Sequence, residues 1–137
     1  METFSKIIEF STDKTKEIVD LSDEVMKAVR GCDIENGIMV AQLPHATSML
    51  VLNESESGVK QDLLDQLDEF APPQNGYRHD RIDNNADAHI KAALVGSSKV
   101  LPVIEGKLIK GTWQSFLVIE QDGPRSRRKL VLFIMGE

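Results

Sequence analysis

The chain has 137 residues, 41% of them hydrophobic and 28% charged, with 22 acidic against 16 basic side chains and a formal charge of −6. Such a chain accommodates one domain with its own core, over residues 1–137, and its composition excludes a disordered polymer; the negative balance disfavours long-range attraction to nucleic acid or anionic lipid. A single cysteine, Cys32, cannot close an internal disulfide, and with no signal-peptide pattern and no apolar run near twenty residues, the expected compartment is the cytoplasm, without a membrane partner.

Thr3 to Ser11 places Phe4, Ile7, Ile8 and Phe10 among polar neighbours and reads as a strand. The period then changes: Ile18, Leu21, Val25, Ala28 and Val29 recur at helical spacing, which predicts a helix from Thr15 to Arg30, with Gly31 ending it in the left-handed conformation. Gly37 to Leu43 and Met49 to Asn53 read as strands separated by Pro44-His45-Ala46-Thr47, where proline removes a ladder donor, so His45 falls at a break in a sheet.

Val59, Leu63, Leu64, Leu67 and Phe70 predict a second helix over Gly58 to Phe70, which Pro72 and Pro73 stop. Pro72 to Asn84 is a long loop. Asn84 or Asn85 can cap a third helix from Ala86 to Leu94, with His89 near its apolar side and Gly96 beyond its end. The remainder reads as a β meander: Lys99 to Ile104, a turn at Glu105-Gly106-Lys107, Thr112 to Glu120, a turn at Asp122-Gly123-Pro124, and Lys129 to Met135. Strands gathered at the end, with helices inserted earlier and no regular β-α-β alternation, predict a single α+β domain with a largely antiparallel sheet and three helices.

Gly106 to Thr112 lacks the lysine and the following helix of a phosphate-binding loop, no Gly-x-Ser-x-Gly elbow occurs, and Cys32 has no sequence-visible base. Histidine is more informative. Only His45, His79 and His89 occur, at a strand break, in the long loop and on a helix; three neutral imidazoles with an open fourth position suit a catalytic zinc ion, and Asp80 and Asp87 are placed to orient them. Spacing alone does not bring them together, and the reading of polar loop residues plus one satisfied core histidine stays open. Arg125, Arg127, Arg128 and Lys129 form a basic run that fits either a small phosphate ester or a solvated turn.

Read in order, the chain carries Pro44-His45-Ala46-Thr47-Ser48, Asn53-Glu54, Asp62, Tyr77-Arg78-His79-Asp80, Asn85-Ala86-Asp87-Ala88-His89-Ile90-Lys91, Gly96-Ser97-Ser98, Leu101-Pro102-Val103, Gly106-Lys107-Leu108, Gly111-Thr112-Trp113-Gln114, Glu120-Gln121-Asp122-Gly123-Pro124-Arg125 and a final Gly136. This series resembles the YjbQ-type family of small proteins, labelled secondary thiamine-phosphate synthases, from about residue 36 onward. The resemblance implies a compact α+β domain that forms a homotrimer, with a histidine-lined metal site near subunit contacts. It implies His45, His79 and His89 as ligands of a divalent metal, Zn²⁺ or, with a diphosphate substrate, Mg²⁺. Asp62 and Glu120 would handle protons, and Thr47, Asn53, Ser98, Gln114 and Arg125 would contact a small phosphorylated substrate. Where the family often has threonine directly after the first histidine, this chain has Ala46, with Thr47 one residue later.

The activity that the resemblance implies joins a thiazole phosphate to a hydroxymethylpyrimidine diphosphate, displacing diphosphate. A histidine-bound metal also suits a hydrolase, with Glu120 or Asp62 as base. A trimeric module that binds an anion and turns nothing over is the non-enzymatic alternative.

Overall fold

The computed structural model describes residues 1–137. Eight strands and three helices follow the order β1 (Glu2–Thr12), β2 (Glu17–Asp20), α1 (Ser22–Arg30), β3 (Gly37–Gln42), β4 (Ser48–Asn53), α2 (Ser57–Phe70), a 3₁₀ turn (Arg78–Arg81), α3 (Ala86–Val95), β5 (Ser98–Ile104), β6 (Lys107–Leu108), β7 (Ser115–Glu120) and β8 (Arg125–Gly136). Every strand pair is antiparallel. The strands divide into a five-stranded sheet, β1-β8-β3-β5-β6, and a three-stranded sheet, β2-β7-β4. This is the α+β architecture with three helices that the sequence predicts, built on two sheets.

The sheets meet face to face. Met39 and Ala41 of β3, Leu101 and Val103 of β5, and Leu130, Leu132 and Ile134 of β8 pack against Leu50 of β4, Phe116 and Val118 of β7, and Leu21, Val25 and Val29 around α1. Alternation along each strand sends the intervening residues to the far side. On the three-stranded sheet that side carries Met49, Val51 and Ile119, which Leu64 and Leu67 of α2 and Ala92 of α3 cover. On the five-stranded sheet it carries Ile7, Ile38, Val100, Ile104 and Phe133, all exposed.

The first helix is shorter than its periodicity suggests. Glu17–Asp20 is a strand pairing with β7, Ile18 opposite Ile119 and Val19 opposite Val118, and only Ser22–Arg30 is helical. Ile18 satisfies both periods, but the β-branched pair Ile18-Val19 finds an open strand edge, and Asp20 Oδ1 accepts from the Ser22 amide at 2.9 Å, turning the chain between strand and helix. Gly31 at the helix end has φ −83°, so the left-handed terminus is not adopted.

At α3 the expected asparagine cap is replaced. Asn84 turns the chain with φ 55°, Asn85 donates to Asp122 Oδ2 at 2.9 Å, and the Ala86 amide is taken at 2.9 Å by Asp80 Oδ1 from the 3₁₀ turn. Glu56 caps α2 by accepting from the Gly58 and Val59 amides, which holds its carboxyl below the usual range. Glu105 and Gly106, with φ of 51° and 74°, form a two-residue hairpin loop that adds the short β6. Thr112 and Trp113 form a turn, so β7 begins at Ser115 and not at Thr112, while β8 begins at Arg125, four residues before the predicted strand.

Candidate histidine cleft

The candidate site lies where both sheets run out. Pro44 ends β3, and two steps past the last β3 to β8 pair, Gln42 with Val131, the Lys129 amide would lack an acceptor. His45 Nε2 accepts it at 2.9 Å. An amide can only donate, so in the neutral ring the proton sits on Nδ1. Burial first, and then the neighbouring Arg128 charge, push the His45 pKa below its ordinary value, which keeps the ring neutral at pH 7.

His45 is a shared wall of two clefts. One, about 420 Å³, is lined by His45, Ala46, His89, Ala92, Ala93 and Ser97; the other, about 300 Å³, by His45, Arg125, Ser126, Arg127 and Arg128. His79 reaches His89 from the 3₁₀ turn, with ring centroids 4.6 Å apart and planes at 77°. The fold therefore gathers two imidazoles ring to ring and sets the third across a cleft. Within the chain, no group of three histidine, cysteine or carboxylate side chains converges to hold a metal ion, and Nε2 of His45 is committed to β8.

His79 Nε2 is buried and has no hydrogen-bond partner. The same is true of Asp80 Oδ2, Asn85 Oδ1, Gln121 Nε2 and Ser48 Oγ. Their other contacts are made: Asp80 Oδ1 takes the Ala86 amide at the start of α3, Asn85 bonds Asp122, Gln121 donates its amide to Thr47 O, and Ser48 pairs with Glu120. Each unpaired buried group costs about 1–3 kcal/mol, so the free, buried Nε2 of His79 beside the His89 ring is a place where an ion or ligand would be accepted. His79 and His89 fit a divalent cation on this ground.

Glu120 does not face a cleft. It is fully buried; Oε1 accepts from Thr12 Oγ1 and Arg128 Nε, both at 2.9 Å, and Oε2 from Arg128 Nη2 and from the Gln121 and Asp122 amides. Burial alone would raise its pKa, but Arg128, Thr12 and the Asp122 amide together reverse the sign and hold it low. That is a carboxylate that fixes an arginine, in place of the expected proton carrier. Arg128 Nη2 in turn donates to Thr47 Oγ1 at 3.0 Å, so Thr47 is buried beneath the site as a link to Arg128.

The remaining expected residues separate. Arg125 lines the arginine cleft, tied to Asp122 at 2.7 Å, and Ser98 opens β5 beside Ser97 of the histidine cleft. Asp62 sits exposed on α2 and lines neither cleft. Asn53 and Gln114 lie at the opposite end of the three-stranded sheet, where Asn53 pairs with Ser115; Asn53 Oδ1 accepts from the Glu54 amide and Gln114 Oε1 from the Gly111 amide, both at 2.7 Å. Trp113 is 72% exposed beside them.

One cluster escaped the sequence reading. Lys91 is wholly buried, and its Nζ reaches Asp68 at 2.6 Å, Asp87 at 2.8 Å and Gln121 at 3.0 Å, while Lys16 contacts the same two aspartates. This network ties α2, α3 and the end of β7 into one block under His89. The spacing of Asp87 and Lys91, four apart on a helix, is the signal that could have shown it.

A family model described as "UPF0047 protein YjbQ-like" matches residues 6–137. A UPF0047 protein of Archaeoglobus fulgidus is 48% identical over 120 residues, covering 88% of this chain and 93% of the relative. The UPF0047 protein YugU of Bacillus subtilis is 36% identical over 89% of this chain and 92% of its own length. Among solved structures, a YbjQ-like protein of unknown function from Sulfolobus solfataricus superposes with a TM-score of 0.97 at 40% identity, covering 99% of each chain. A hypothetical protein from Aeropyrum pernix superposes at 0.91 and 34% identity over the whole of both chains.

Proposed function

We propose, from the premise that this chain belongs to the UPF0047 YjbQ-like family, that it is a metal-dependent enzyme of small phosphorylated heterocycles with a thiamine-phosphate synthase type of transfer. The observation that carries the metal reading is the unpartnered, buried Nε2 of His79, whose ring stands 4.6 Å from that of His89. A divalent cation there, Zn²⁺ or Mg²⁺, would supply positive charge against a departing diphosphate.

In that transfer the thiazole nitrogen bonds to the pyrimidine's exocyclic methylene carbon as the carbon–oxygen bond breaks, and the electron pair leaves with diphosphate. No proton must move in this step, which agrees with the locked state of Glu120. His79 and His89 would hold the cation, Arg125 would meet an anionic group, and Ser98 stands near the mouth. The chain's residues mainly orient and neutralise. A homotrimer is part of the proposal, supported by the exposed apolar side of the five-stranded sheet.

The test is metal content of the purified protein, followed by turnover of the thiazole phosphate and pyrimidine diphosphate before and after chelation. His79→Ala and His89→Ala should each lose the bound metal and at least about a hundredfold of the turnover. A metal-free wild type with full turnover sinks the proposal.

A further inference from the structure

We propose that the cleft of His45, Arg125, Ser126, Arg127 and Arg128 receives the phosphoryl group of a phosphate ester, and that His45 serves it as a hydrogen-bond donor through Nδ1, not as a metal ligand. The role of the ester as substrate rests on the reading given under Proposed function; the site itself rests on the following geometry.

The Lys129 amide occupies His45 Nε2, so coordination through that nitrogen would break a backbone bond at the start of β8. Coordination through Nδ1 would displace the proton to Nε2, where it would oppose the amide proton of Lys129. Both routes carry a cost that His79, with a free Nε2, does not meet. What His45 can offer without rearrangement is its Nδ1 proton.

The register between β1 and β8 explains what faces that proton. Phe10 pairs with Arg128 but Thr12 with Arg125, so β8 holds an extra residue here, a bulge that turns neighbouring side chains toward one cleft. The lining has no hydrophobic member. Arg125 uses Nε and one Nη2 proton on Asp122, and Arg128 uses Nε and Nη2 on Glu120 and Thr47, so both are held in place with guanidinium protons to spare. Arg127 makes no ion pair. Three guanidiniums against two carboxylates leave one positive charge in a chain whose total is −6, concentrated in a cleft of about 300 Å³. That size and a forked set of fixed donors suit a single tetrahedral oxyanion and not a polyanion.

The experiment pairs two titrations on the full chain: zinc, and phosphate presented either as inorganic phosphate or as phenyl phosphate. Arg127→Gln should weaken phosphate binding about tenfold or more while leaving zinc uptake at the wild-type level. His45→Ala should weaken phosphate and keep zinc, whereas His79→Ala should lose zinc and keep phosphate. If His45→Ala does not fold, His45→Gln retains an acceptor for the Lys129 amide and must still take up zinc. Tighter binding of phenyl phosphate than of inorganic phosphate identifies the ester as the ligand; equal binding identifies the free anion. Loss of zinc from the His45 variants, or phosphate affinity of Arg127→Gln within twofold of wild type, overturns the assignment. A wild type that binds no zinc but whose phosphate binding depends on Arg127 and His45 removes the metal reading and leaves this one standing.

Discussion

Glu120 and Arg128 show how a single pair can decide both stability and the shape of a site. Each is buried, and each satisfies the other by two hydrogen bonds. Removing one charge leaves its partner stranded, so Glu120→Gln should cost about 3 kcal/mol in urea unfolding. The sign of its pH dependence is fixed by the lowered pKa. The folded protein binds this proton less readily than the unfolded chain does, so the contribution is complete above the ordinary glutamate value of 4.5 and is lost as pH falls through the lower folded value. Asp68 and Asp87 are also held low, burial opposing and the contacts to Lys16 and Lys91 prevailing, and they act in the same direction. Acid titration of Glu120→Gln should accordingly show a shallower loss of stability below pH 4.5 than wild type, and an equally steep loss would contradict the assignment.

Among elements, close approach matters most between β3 and β8. Gly37 and Gly136 face each other, and a Cβ on Gly136 would lie 2.0 Å from Asn36 O, as one on Gly37 would lie 2.0 Å from Met135 O. Neither backbone atom can swing aside, so Gly136→Ala should lower stability by about 2 kcal/mol or more in thermal or urea melts, against little change for Gly31→Ala, where φ is −83° and a Cβ would meet nothing nearer than 3.5 Å. The helix α2 is legible from the helical spacing of Val59, Leu63, Leu64 and Leu67, and α3 from the asparagines before it and Gly96 after it. The segment at Ile18 was not, since a residue that fits two periods is assigned by its neighbour in space, here β7. The same limit governed the site. Histidine type and motif order pointed to His45, His79 and His89, but the commitment of His45 to the Lys129 amide, and of Glu120 to Arg128, arises from a strand break and a bulge that no spacing encodes. Asn53 and Gln114 belong to the motif series yet sit a full strand length from the imidazoles.

At the scale of the whole molecule, the uncovered side of the five-stranded sheet sets a further expectation. Val100 is 63% exposed and Ile7 55%, with Phe133 and Ile38 on the two strands between them and Ile104 farther along β5. If that side joins copies of the chain, sedimentation should give three times the 15.3 kDa chain mass, and Val100→Lys with Phe133→Glu should return it to a single chain mass while the circular dichroism spectrum is kept. No helix of the fold is long and apolar enough to cross a membrane.

The residues around the histidines arrive from five separate stretches, near positions 45, 80, 89, 121 and 128, and meet only when both sheets have closed. Chemistry so assembled is indivisible: no excised peptide or half-chain can retain it, and a nick anywhere between Pro44 and Lys129 that lets the pieces part should abolish ligand capture outright. Solvent exchange at the Lys129 amide should then track global unfolding, making one proton a gauge of whether the entire globule is intact.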